Sequence, residues 1–184
     1  MQFSYETVTR NFASNVDRLV AFLDAQGPGP VDLVAHSLGG LLVLRATDRL
    51  PAERFGRIVL LGPPLRGSVA AKRLAGLGLL GSWLAGGSLD ALVAGLPEPS
   101  AGGLEIGVIA GNNPVGMGRV LGGLDGPSDG TVRVEETQLE GASGELVLPV
   151  SHTGLLFSDR VARAAARFLL TGAFTDPENA VAAG

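Results

Sequence analysis

The chain has 184 residues, a formal net charge of −4 at pH 7, two histidines and no cysteine. That length fits one domain with a sizeable core, and 46% hydrophobic residues with a mean hydropathy of +0.32 exclude a largely disordered chain. An acidic balance without a Lys/Arg-rich run argues against nucleic acid and against an electrostatically held membrane surface as partners, and the lack of cysteine with two histidines excludes disulfides, thiolate metal sites and His-rich metal clusters.

The first residues, Met-Gln-Phe-Ser-Tyr-Glu, have no basic and no apolar stretch of the kind a signal peptide needs. The longest uncharged stretch, between Arg73 and Asp90, is shorter than a membrane span and is interrupted by glycines. A cytoplasmic protein without a transmembrane segment is expected.

Short apolar runs alternate with helical segments, the pattern of βα units and a largely parallel sheet. Phe3 to Tyr5 reads as the end of a strand. Phe12, Val16, Leu19, Val20 and Leu23 recur at helical spacing, and Gly27-Pro28-Gly29-Pro30 ends that helix. Val31 to Ala35 is a strand, and Leu38 to Leu50 a helix with Arg45, Asp48 and Arg49 on its wet side. Arg57 to Leu61 is the next strand, closed by Gly62-Pro63-Pro64. A Leu/Gly-rich insertion at about 69–103 follows; it reads equally as a flexible lid or as ordinary helices packed on the sheet. Strands at Leu104 to Ala110 and Leu146 to Val150 come next. In the closing helix Phe157, Val161, Ala165 and Phe168 form an apolar face, and Arg160, Arg163 and Arg167 a basic one. The domain is expected to span 1–174, with 175–184 a disordered tail.

Three residues carry the chemistry. Ala35-His36-Ser37-Leu38-Gly39 takes a buried strand straight into a helix through small-x-Ser-x-Gly, the pattern of a sharp turn that presents a serine hydroxyl at the head of a helix. There the Leu38 N–H faces any oxyanion formed when Ser37 attacks a carbonyl. An N-cap serine is the plainer alternative. A serine hydroxyl needs a base, and His152 follows the last strand, where a parallel sheet presents functional groups. The acid that orients such a base is sought between the two. Asp129, in Gly126-Pro127-Ser128-Asp129-Gly130, is the candidate; Asp125 is its rival, and Asp-Gly is itself a turn signal.

These segments resemble the α/β-hydrolase superfamily, in particular bacterial lipases and esterases. The resemblance lies in Ala35-His36-Ser37-Leu38-Gly39-Gly40, in Gly62-Pro63-Pro64-Leu65-Arg66-Gly67-Ser68, and in Asp129-Gly130-Thr131-Val132 with Glu136-Thr137 and Ser151-His152. It implies an α/β fold, a mostly parallel sheet flanked by helices with a lid-like insertion. It also implies hydrolysis of a small carboxylic ester with an apolar acyl chain, without cofactor or metal, by Ser37, Asp129 and His152. His36, Leu65 and Trp83 are the expected substrate contacts. A thioesterase or acyltransferase would use the same three residues. The sequence departs from the family in one respect. Neither histidine is followed by glycine, so the His-Gly loop that supplies a second oxyanion N–H is missing, along with the early strands. An N-terminally truncated core is therefore expected, with Val31 to Ala35 either lacking a neighbour or pairing with Met1 to Tyr5. An inert remnant that binds an apolar ligand is the alternative this departure favours.

Overall fold

The computed structural model describes residues 1–5, 11–75, 89–97, 100–115 and 124–174. Four parallel strands form one sheet: β1 (Val31–His36), β2 (Phe55–Leu61), β3 (Ile106–Gly111) and β4 (Gly144–Leu148), in the spatial order β1-β2-β3-β4. The helices are α1 (Phe12–Asp24), α2 (Leu38–Thr47), α3 (Val69–Ala75), α4 (Leu89–Ala94), α5 (Gly154–Phe157) and α6 (Asp159–Thr171). This is the α/β architecture that the alternating pattern predicts.

Side chains of a strand point alternately to its two faces, and both faces of the sheet centre are covered. Ile58 and Leu60 of β2 with Ile106 and Val108 of β3 join α1 and α2 in one core. Val59 and Leu61 with Ile109 and Leu148 join α6 in the other. Burial on both faces is why β2 and β3 are nearly continuous apolar runs. The helix α2 is buried almost all round, so the expected wet side shrinks to its end, where Arg45 pairs with Asp48 and Arg49 reaches Asp17 of α1.

β1 is different. β2 pairs with one of its edges, and among the described residues no strand pairs with the other. Phe3 to Tyr5, expected as a strand end, is not one. Phe3 instead packs its ring on Phe22 of α1, with centroids 5.2 Å apart, and stands 6.0 Å from Tyr5. Between this segment and β1 lies a groove of about 400 Å³ that runs up to His36 and Gly39.

The closing helix also departs from expectation. Ser158 is extended, with φ −82° and ψ 123°, so α5 and α6 are separate helices and the periodicity breaks between them. Phe157 is 80% exposed, and Leu155 is buried beside Val161, Ala165 and Phe168 instead. Of the insertion, α3 and α4 are described. Trp83 and its neighbours at 76–88 lie outside the described residues. Among the described residues, no helix is long and apolar enough to cross a membrane.

Candidate active site

Ser37 stands between β1 and α2 with φ 54° and ψ −125°, and it is the one non-glycine residue with positive φ among those described. Such a conformation costs on the order of 1–3 kcal/mol and persists where the surroundings enforce it. Here the enforcement is local. The Ser37 N–H donates to the Leu61 carbonyl at 2.8 Å, and the Ser37 carbonyl accepts from the Gly40 N–H at 2.9 Å. Close packing needs glycine at position 40, because a Cβ there would stand 2.8 Å from the Pro63 Cβ. A Cβ on Gly39 would stand 3.8 Å from the Ala35 Cβ, an ordinary contact. The Leu38 N–H belongs to the first turn of α2, whose donors have no partner within the helix.

His152 lies on the loop after β4, at the far edge of the sheet from Ser37. The loop reaches back across the strand tips. His152 Nε2 stands 3.0 Å from Ser37 Oγ, and its Nδ1 stands 2.7 Å from Asp129 Oδ2. With Nδ1–H donating to the carboxylate, Nε2 is bare and accepts from the serine hydroxyl. Asp129 is 1% exposed. Its other oxygen, Oδ1, accepts from the Thr131 and Val132 N–H groups at 2.9 and 2.7 Å. The turn and the acid are thus one residue with its two oxygens divided between them. Asp125 is exposed on the surface. Gly62, at φ 54°, lets the chain pass beneath this pair, since a Cβ there would meet Leu155 at 2.7 Å and Asp129 Oδ2 at 3.1 Å.

The three candidates are therefore brought together as a continuous hydrogen-bonded chain. The arrangement can move a proton from Oγ to Nε2 while the carboxylate holds the ring and its tautomer. The expected substrate contacts fare differently. Leu65 is fully buried in the core and has no surface to offer a substrate. His36 turns its side chain to the backbone of His152, with Nε2 3.1 Å from the carbonyl oxygen. Burial, then the neighbouring His152, lowers its pKa to about 4. Burial also raises the Tyr5 phenol, whose hydroxyl lies 3.4 Å from the position of a Cβ on Gly39.

One residue near the site has a role that spacing could not show. Glu136 is buried. Its Oε1 accepts from the Val69 N–H at 2.8 Å and from Arg133 Nε at 3.1 Å, and its Oε2 accepts from the Arg133 N–H at 2.9 Å. It fastens the start of α3 to the loop that carries Asp129. Among the described residues no group of three His, Asp or Glu side chains is placed to hold a metal.

A model of the alpha/beta hydrolase family matches residues 3–170. A search of the curated proteins returns no match. Among solved structures, the chain is similar to the propeptide form of the Bacillus licheniformis lipase BlEst2, with 21% identity and a TM-score of 0.66, covering 80% of this chain and 38% of that one. It is similar to the metagenomic carboxyl esterase MGS0156, with 20% identity, a TM-score of 0.58 and coverage of 77% and 51%. It is also similar to the type II thioesterase BorB of the borrelidin biosynthetic cluster, with 18% identity, a TM-score of 0.51 and coverage of 90% and 71%. The chain thus spans about 38% and 51% of the length of the first two.

Proposed function

Since the chain belongs to the alpha/beta hydrolase family, we propose that it is a serine hydrolase cleaving carboxylic esters through an acyl-enzyme on Ser37. The observation that carries this reading is the unbroken Asp129–His152–Ser37 chain, at 2.7 and 3.0 Å, ending on a serine held at positive φ.

Ser37 Oγ attacks the ester carbonyl as its proton passes to His152 Nε2, and the Leu38 N–H binds the oxyanion. When the tetrahedral intermediate collapses, the C–O bond to the alcohol breaks and the imidazolium returns its proton to the departing alkoxide. Water then attacks the acyl-Ser37 carbonyl, giving its proton to Nε2, and the acid is released with Ser37 regenerated. Asp129 stays ionised, orients the ring and stabilises the imidazolium. The Leu38 N–H is the oxyanion donor this reading assigns; removing one such donor typically costs about 10²–10³ in rate.

The test is covalent labelling with a fluorophosphonate, followed by a panel of acyl esters and thioesters of increasing chain length. The unaltered chain should label and Ser37→Ala should not. Labelling that survives Ser37→Ala puts the nucleophile elsewhere, and no labelling of the unaltered chain favours the inert, ligand-binding reading. Thioesters belong in the panel because a thioesterase shares the fold, and acyl acceptor choice resides in pocket shape rather than in the catalytic residues.

A further inference from the structure

Four atoms of His152 are held, and the bonds divide two by two. Asp129 takes two of them: its carbonyl accepts from the His152 N–H at 2.9 Å and its Oδ2 from Nδ1. The dipeptide His36-Ser37 takes the other two. Ser37 Oγ meets Nε2 at 3.0 Å, and His36 Nε2 meets the His152 carbonyl oxygen at 3.1 Å. A carbonyl oxygen can only accept, so the His36 ring carries its proton on Nε2. The two imidazoles pack with centroids 4.6 Å apart and planes at 45°.

We propose that His36 is a positioning residue for the base: its Nε2–H, bonded to the His152 backbone carbonyl, clamps the far-reaching loop onto the strand that carries the nucleophile. The proposal rests on the reading of Ser37, His152 and Asp129 as a catalytic set. Topology gives the reason for such a clamp. Ser37 ends the strand at one edge of the sheet, and His152 starts from the strand at the other, with β2 and β3 between them. The loop has to cover that distance and still hold Nε2 against Oγ, where a displacement of about 1 Å can cost roughly 10² in rate. Because His36 immediately precedes Ser37, its bond ties the base loop to the turn itself rather than to a remote part of the scaffold. A pKa lowered to about 4 keeps the His36 ring a neutral donor across the neutral range. It therefore adds no like charge beside the imidazolium that forms at His152.

Two variants separate the bond from the bulk. His36→Phe keeps a ring and loses the donor; His36→Gln keeps an N–H donor and loses the ring. His36→Phe should lower kcat about tenfold with KM within about twofold, the pattern of a lost transition-state interaction, and His36→Gln should recover most of it. Parent-level kcat in His36→Phe would overturn the proposal, as would equal losses in both variants. A measurement on the unaltered chain does not depend on how either variant folds. With two histidines in the chain, nitrogen NMR of the imidazoles resolves each tautomer. His36 should be protonated on Nε2 and remain neutral at pH 6; protonation on Nδ1 alone would overturn the clamp. A chain that fails to label at Ser37 removes the catalytic reading and this proposal with it. A chain that labels while His36→Phe turns over normally removes the clamp alone.

Discussion

Val34 and Val59 are register partners in neighbouring parallel strands, yet Val34 is 52% exposed and Val59 is fully buried. The difference is one of position in the sheet. β2 has a strand on each side and a helix layer on each face. Among the described residues β1 has a ladder on one side only and, on the Val34 face, no cover from α6. Ser37 therefore sits on the thinly supported side of the molecule, while Asp129 is buried on a loop that Glu136 fastens to the start of α3. The comparison teaches that Ser37 is held by its own turn, through Leu61, Gly40 and the buried helix α2, more than by the strand that delivers it.

Four substitutions sharpen that contrast. Asp129→Asn preserves volume and leaves Oδ1 its N–H partners, so the fold should survive, but the amide favours the wrong imidazole tautomer. A fall in kcat of about 10⁴ is expected, read from steady-state ester hydrolysis beside an unchanged melting curve. A loss of less than about tenfold would remove Asp129 from its role. Glu136→Ala comes next. It strands the half-buried Val69 and Arg133 N–H groups and should cost about 2–3 kcal/mol in urea unfolding. A cost near zero would mean that the acid loop is not anchored there. The smallest effect falls within the valine pair. Val59→Ala should cost about 2–3 kcal/mol, from lost burial plus a cavity. Val34→Ala should stay within about 0.5 kcal/mol. Equal costs would show that β1 is covered in solution by something that buries it.

The sequence was readable where a residue's neighbours are dictated by local period or by chain order. Strand-to-helix alternation, the turn at Ser37 and the loop position of His152 are all of that kind, and the helix α1 follows its spacing with Asn11 capping it by accepting from the Ser14 N–H. What escaped depends on partners far along the chain. Nothing near Glu136 says that its carboxylate reaches Val69, and nothing near His36 says that its ring reaches the carbonyl of His152. Leu65, expected as a substrate contact from the family resemblance, is buried in the core instead. Phe157 looked helical in register with Val161, but the extended Ser158 resets the phase and hands the buried place to Leu155.

The central claim is that Ser37 is the nucleophile. Fluorophosphonate labelling read at the level of the peptide tests it most directly: the labelled chain is digested and the adduct located by mass spectrometry. The account predicts a single adduct on the peptide that contains Ala35-His36-Ser37, with fragment ions assigning it to Ser37, and its disappearance in Ser37→Ala. An adduct on any other residue, or none on a folded chain, would contradict it.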